Sequence, residues 1–130
     1  MLQTQLQQIA QANSWESRYR FLMKLGSTEN LPFDEESKIE ENLVSGCESN
    51  VWLVAEQHNS KIIIRASSDS KIVRGLLVII LNEIEQHGIE QFDLAGCLTK
   101  YHLANHLSES RTNGLQHVYQ QILNKYQQND

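Results

Sequence analysis

Cysteine and proline are scarce in this sequence, with 2 Cys and 1 Pro in 130 residues. Two cysteines are too few for the disulfide framework that holds small secreted domains together, and we expect both to be free thiols. The chain also lacks a repeat or a Pro-, Gly- or Ser-rich tract that would separate domains. We therefore predict a single domain over residues 1–130.

Basic residues and long apolar runs are also scarce in the sequence. The 11 basic and 16 acidic residues give a net charge of −5, which removes the electrostatic drive for binding nucleic acid or an anionic membrane. No apolar run is long enough to span a bilayer, and residues 1–7 lack the basic and apolar regions of a signal peptide. We expect a cytoplasmic protein with protein or small-molecule partners.

The first third of the chain predicts helical segments. Apolar residues recur at helical spacing over residues 15–23, after Ser14 as a candidate N-cap and before Gly26 as a stop. The Gln-rich first dozen residues predict a weakly held helix. The acidic stretch over residues 34–41 predicts a short exposed helix.

An antiparallel hairpin is predicted next. Residues 51–55 and 61–66 are rich in β-branched and aromatic side chains and are separated by a turn at residues 58–60. Residues 43–44 are predicted to be extended and to enter the loop that carries Cys47.

A long apolar helix is predicted over residues 73–84, with candidate N-caps at residues 67–70. Its broad apolar face indicates a buried central helix. The following residues, 89–107, predict shorter helical pieces broken at Gly88 and Gly96.

The last predicted helix has its apolar residues at helical spacing over residues 115–126, with Ser108 or Ser110 as its cap. These elements together predict an α+β fold, in which a small antiparallel β-sheet is packed by helices.

Cys47 is the candidate functional residue. It follows Gly46 among small polar residues and precedes an apolar strand, which predicts a thiol on a flexible loop. Such a thiolate can attack a sulfur atom held by another protein and keep it as a persulfide. The alternative is a buried structural cysteine, and Glu48 would tend to raise the pKa of the thiol.

The remaining candidate chemistries are weaker. Cys97 has apolar neighbours, which favours a packing role. A zinc site needs about four closely spaced ligands, whereas the chain offers two cysteines and five scattered histidines, so no metal is predicted. His102 and His106 stand four residues apart, but a surface or core role is expected for them.

Enzymatic motifs are also absent from the sequence. There is no Gly-x-Ser-x-Gly nucleophile elbow and no phosphate-binding loop. Arg74 and Gly75 fall inside the apolar helical pattern, so Gly75 is expected to permit close helix packing.

Two charged residues are candidate neighbours of the Cys47 loop. Arg111 stands near a predicted helix start, where the helix dipole disfavours it, and Glu48 and Asp69 are its candidate carboxylate partners. A solvated surface arginine is the alternative. Asp69 itself can cap the central helix.

An ordered set of short motifs spans nearly the whole chain and resembles the SufE/CsdE family. These motifs are Trp15-Glu16, Arg18-Tyr19-Arg20, Leu25-Gly26, Leu31-Pro32, Gly46-Cys47-Glu48-Ser49, Val51-Trp52, Asp69, Ile72-Val73-Arg74-Gly75-Leu76, Leu107-Ser108, Ser110-Arg111 and Gly114-Leu115. The family commonly has proline where Glu109 stands, and Cys97 is outside the family pattern.

The resemblance implies a fold shared with the IscU-type scaffold proteins. It also implies a sulfur acceptor that is not itself an enzyme: a PLP-dependent cysteine desulfurase, SufS-like or CsdA-like, would pass sulfane sulfur to Cys47, and this chain would stimulate it. PLP would belong to the partner, with no cofactor on this chain. Gly46, Glu48, Asp69 and Arg111 are the candidate loop or partner contacts.

Sulfur would then pass to an iron–sulfur scaffold or another acceptor. Two alternatives stay open, a chain that assembles a cluster itself and a stand-alone thiol enzyme. The sequence does not decide between a SufE-type and a CsdE-type protein, or between a monomer and a homodimer.

Overall fold

The computed structural model describes residues 1–128 and has an α+β architecture, which confirms the predicted fold class. Over these residues the fold comprises a two-stranded antiparallel sheet and five α-helices. The helices and strands are α1 (Leu2–Gln11), α2 (Trp15–Leu25), β1 (Val51–His58), β2 (Lys61–Ser68), α3 (Lys71–His87), α4 (Leu94–Lys100) and α5 (Glu109–Gln128).

The hairpin forms as predicted, and both strands extend beyond the predicted ends. The register pairs Val51 with Ser68 and His58 with Lys61, so a two-residue turn joins the strands. Asn59 occupies that turn with a φ of 60°, a conformation that asparagine tolerates well. Across the other edge of β1, Leu43 forms an isolated bridge with Trp52. This bridge holds the entry to the Cys47 loop beside the sheet.

The buried central helix is α3, as predicted, and ten of its residues are buried. Gly75 lies against the backbone carbonyl of Leu22 on α2, so closely that a Cβ at position 75 would overlap the carbonyl oxygen. The expected close helix packing at Gly75 is confirmed. Ser70 caps α3 by accepting a hydrogen bond from the Val73 N–H at 3.3 Å.

Helix α1 forms over the Gln-rich segment, but it is held more firmly than predicted. Leu6 and Ile9 are buried in the core. The buried Arg18 guanidinium on α2 donates to the carbonyls of Ile9 at 2.9 Å and Ala12 at 2.6 Å. These bonds reach carbonyls at the end of α1 and just beyond it, so α1 is tied to α2.

Two predicted features between the strands and helices differ in the structure. Gly96 lies inside α4, because the Asp93 side chain caps that helix and accepts from the Gly96 N–H at 3.0 Å. The acidic stretch forms two short 3-10 helices, Glu35–Ser37 and Glu40–Asn42. The predicted break at Gly88, by contrast, is confirmed, since α3 ends there.

Helix α5 is longer than its apolar pattern indicates and begins at Glu109. The Ser108 hydroxyl accepts a hydrogen bond from the Arg111 N–H at 3.0 Å, which identifies Ser108 rather than Ser110 as the cap. Within residues 1–128, no helix is both long and apolar enough to cross a bilayer.

Candidate functional site

The Cys47 loop is short and is fixed at its base. The Val44 N–H donates to the Val51 carbonyl at 2.8 Å, which closes the loop on its strand. Gly46 adopts a φ of +85°, a left-handed conformation that glycine takes without the steric cost of a Cβ. The chain therefore turns sharply immediately before Cys47.

Asp69 lies at the base of this loop and does not cap α3. Its carboxylate accepts from the Asn50 N–H at 3.2 Å, and its own N–H donates to the Asn50 carbonyl at 3.3 Å. The Ser68 hydroxyl donates to the same carbonyl at 2.6 Å. The capping role expected of Asp69 is thus taken by Ser70, whose side chain is one residue closer to the helix.

The Cys47 thiol is half-buried and points towards α5. It donates a hydrogen bond to the Gly114 carbonyl at 3.4 Å. A Cβ at Gly114 would lie 3.5 Å from the sulfur, so the helix surface is in van der Waals contact with the thiol. Cys47 is therefore on a loop, as predicted, but the thiol is sheltered by the helix.

A cavity of about 30 Å³ opens beside the Cys47 thiol. Its apolar walls come from three elements: Val51 of β1, Val73 of α3, and Leu115 and Val118 of α5. A single water molecule needs on the order of 10 Å³, which is less than the volume of this cavity. The cavity can therefore hold one additional small atom next to the sulfur of Cys47.

Burial raises the pKa of the Cys47 thiol above its ordinary value. The thiol is consequently protonated at neutral pH while the loop is closed. Burial, and not Glu48, accounts for this shift: the Glu48 side chain is exposed and its carboxylate accepts a hydrogen bond from the Ser110 hydroxyl of α5.

Arg111 lines the same cavity as Cys47. The expected ion pair of Arg111 with Glu48 or Asp69 is not formed within the described chain, since Glu48 bonds to Ser110 and Asp69 to Asn50. No carboxylate among residues 1–128 lies within 4.0 Å of the guanidinium nitrogens. Arg111 is thus part of the wall of the cavity that borders the thiol.

Sequence reasoning missed His117, which lies on α5 next to the loop. A Cβ at Gly46 would fall 2.6 Å from Cδ2 and 2.7 Å from Nε2 of the His117 imidazole. His117 follows Gly114 by three residues, so both face the loop from the same side of the helix. That spacing was visible in the sequence, but nothing there showed that Gly114 contacts Cys47.

Cys97 lies in a different part of the molecule. It is buried within the hydrophobic core on α4, which confirms the expected packing role, and it lines a separate cavity of about 240 Å³. Burial is the main cause that raises its pKa to about 12, and nearby Glu83 adds to the effect while Lys100 opposes it. The two cysteines are therefore in distinct environments.

The histidines at positions 102 and 106 differ in their surroundings, and His102 is exposed. The His106 ring stacks on Trp15 with centroids 4.3 Å apart. Over the part of the chain that the structure describes, no group of three or more His, Cys, Asp or Glu residues is arranged to hold a metal ion.

Comparison with known proteins places these features in a family. Residues 3–126 match the sequence model of SufE, described as an Fe-S metabolism associated domain. The chain is also similar to an uncharacterized SufE-like protein of Rhizobium meliloti (strain 1021). The two are 37% identical over 118 residues, which cover 85% of this chain and 83% of that protein.

Proposed function

The chain belongs to the SufE family, and from this membership we propose that Cys47 accepts sulfane sulfur, as a persulfide, from a cysteine desulfurase. Membership itself supports a role related to sulfur transfer and iron–sulfur metabolism. The observation that carries the finer proposal is the Cys47 thiol seated beside a cavity of about 30 Å³ that can hold one further atom.

The transfer step is a thiol–persulfide exchange. The Cys47 thiolate attacks the outer sulfur of the cysteine persulfide on the desulfurase, and a new sulfur–sulfur bond forms at Cys47. The sulfur–sulfur bond of the donor breaks, and its cysteine leaves as a thiolate that takes up a proton. The sulfane sulfur moves without net oxidation or reduction, so no additional redox partner is needed.

A change in the surroundings of Cys47 would favour this reaction, because burial raises the pKa of the thiol. In the closed loop, burial keeps the sulfur protonated, and the thiolate is the nucleophilic form. Docking of the desulfurase would move Cys47 out of the apolar cavity and lower the cost of ionisation. Return of the loop would then shelter the persulfide against Val73 and Val118.

Arg111 supports the same proposal through charge. A persulfide anion in the cavity would have Arg111 in the cavity wall, and no carboxylate among residues 1–128 lies within 4.0 Å of the guanidinium nitrogens. A positive charge close to a sulfur anion favours the ionised form. We infer that Arg111 stabilises the anion during transfer or storage.

The proposed partners follow from this chemistry. The donor is a PLP-dependent desulfurase of the SufS or CsdA type, and removal of its persulfide would stimulate further turnover. The acceptor is an iron–sulfur scaffold or another thiol protein. A chain that assembled the cluster itself would need several thiolates together, whereas Cys47 and Cys97 line different cavities.

Desulfurase turnover tests the proposal. Alanine formation from cysteine is measured for a purified desulfurase alone and with this chain, its Cys47→Ser variant and its Cys97→Ala variant. We expect stimulation by the parent chain and by Cys97→Ala, and none by Cys47→Ser. Stimulation by Cys47→Ser equal to that of the parent would refute the role of Cys47.

A further inference from the structure

The His117 ring packs against Gly46, which stands 71 positions earlier in the sequence. Three ring atoms of His117, Cδ2, Nε2 and Cγ, lie within 2.9 Å of the point where a Cβ would stand on Gly46. The imidazole thus occupies the space that any other residue at position 46 would fill with its side chain. Only glycine permits the ring to lie on the backbone there.

Beside the hydrogen bonds of Val44 with Val51 and of Ser110 with Glu48, three contacts fix the Cys47 loop, and the His117 contact is one of them. The first is the base, where Asn50 is bonded to Asp69. The second is the hydrogen bond from the Cys47 thiol to the Gly114 carbonyl. The third is the His117 ring on Gly46.

The second and third contacts come from one face of α5, one turn apart, and both involve residues that must move if Cys47 is to leave its cavity. The base contact does not need to break, because Asn50 lies three residues beyond Cys47 at the entry to β1. The side of the loop that contacts α5 is therefore the side that controls exposure of the thiol.

We propose that His117 is a positioning residue that holds the Cys47 loop closed on α5. Its imidazole packs over Gly46, and the loop carries Cys47 outwards only after that ring has moved. The His117 side chain is itself exposed, so a docking protein can displace it directly. The link to desulfurase docking rests on the proposed function, whereas the closed loop of the free protein does not.

Alkylation of Cys47 in the free protein tests the proposal without any desulfurase. The rate is measured with iodoacetamide for the parent chain and for His117→Ala, and the modified cysteine is identified by peptide mass mapping. We expect alkylation of His117→Ala to be about fivefold faster, which corresponds to about 1 kcal/mol in the opening equilibrium. His117→Phe, which keeps a flat ring, should remain close to the parent rate.

Gln116→Ala is the matched control, because Gln116 is an exposed neighbour on the same helix. It should leave the alkylation rate unchanged. A His117→Ala variant that alkylates at the parent rate would overturn the proposal, as would one that loses thermal stability without any change in rate.

Gly46→Ala supplies a second, independent arm. The added Cβ is strained at a φ of +85° in either background and would also collide with the His117 ring, so this variant should accelerate alkylation more in the parent chain than in His117→Ala. Equal acceleration in both backgrounds would show that the ring and Gly46 act independently, contrary to the proposal. If the variants alkylate at the expected rates but Cys47 takes up no sulfur from a desulfurase, the proposed function is refuted and the positioning role of His117 stands.

Discussion

The alkaline stability of the protein depends on the protonation of buried Cys97. Burial raises the pKa of this thiol to about 12 in the folded chain, whereas an unfolded cysteine titrates at about 8.5. The neutral form is thus favoured by folding. The stability that Cys97 contributes is fully present below about pH 8.5 and is lost as the pH rises towards about 12, the pKa of this thiol in the folded chain.

The magnitude follows from proton linkage. Well above the unfolded pKa, the free energy of unfolding should fall by at most about 1.4 kcal/mol per pH unit for this one group. Integrated between pH 8 and pH 10, the loss amounts to about 2 kcal/mol. Tyr101 also has a raised pKa, mainly because of burial, but its unfolded value of about 10 delays its contribution to higher pH.

The assay is urea unfolding under reducing conditions at pH 7, 8, 9 and 10, for the parent chain and Cys97→Ala. The parent should lose about 2 kcal/mol more than the variant between pH 8 and pH 10, although the variant starts less stable because it lacks the buried sulfur. Cys47→Ser is the control and should keep most of the parent's slope. Parallel pH profiles for the parent and Cys97→Ala would refute the reasoning.

Three further substitutions test the packing and the site. Gly75→Ala should destabilise the protein by about 2 kcal/mol in urea unfolding, since the new Cβ would overlap the Leu22 carbonyl and force α2 away from α3, and unchanged stability would contradict that packing. Cys47→Ser should unfold with a free energy within about 0.5 kcal/mol of the parent, because its thiol is only half-buried, and a larger loss would show a structural cysteine. Arg111→Ala should slow sulfur uptake by Cys47 severalfold with little change in melting temperature, whereas Arg111→Lys, which keeps the charge, should retain most of the rate. Equal uptake by the alanine variant and the parent would show a solvated arginine.

The helices and strands could be predicted where apolar periodicity and caps agree. The pattern over residues 73–84 located α3, because burial of a helix stripe leaves a regular signal. Two runs rich in β-branched and aromatic residues, separated by a turn, located the hairpin. Gly96 misled the prediction because the Asp93 cap lies three residues earlier and stabilises a helix start that includes the glycine. The tether from Arg18 to α1 depends on tertiary contact and leaves no local signal.

The candidate site could be predicted only in part, because its contacts join residues that are distant in the sequence. Local composition was enough to indicate a loop at Cys47, since glycine and small polar residues favour turns. The contacts of Asp69 with Asn50 and of His117 with Gly46 join residues 19 and 71 positions apart, and no periodic pattern encodes them. A side-chain partner at long range becomes visible only when the helix α5 is placed against the loop.

Sulfur uptake by Cys47 is the most direct test of the account. The reduced chain is incubated with a purified PLP-dependent desulfurase and cysteine, and mass spectrometry of the intact protein and its peptides locates any added sulfur. The account predicts the mass of one additional sulfur atom on the Cys47 peptide, in the parent and in Cys97→Ala, and no such addition in Cys47→Ser. Sulfur found on the Cys97 peptide instead, or an unmodified Cys47 after the desulfurase has turned over, would contradict it.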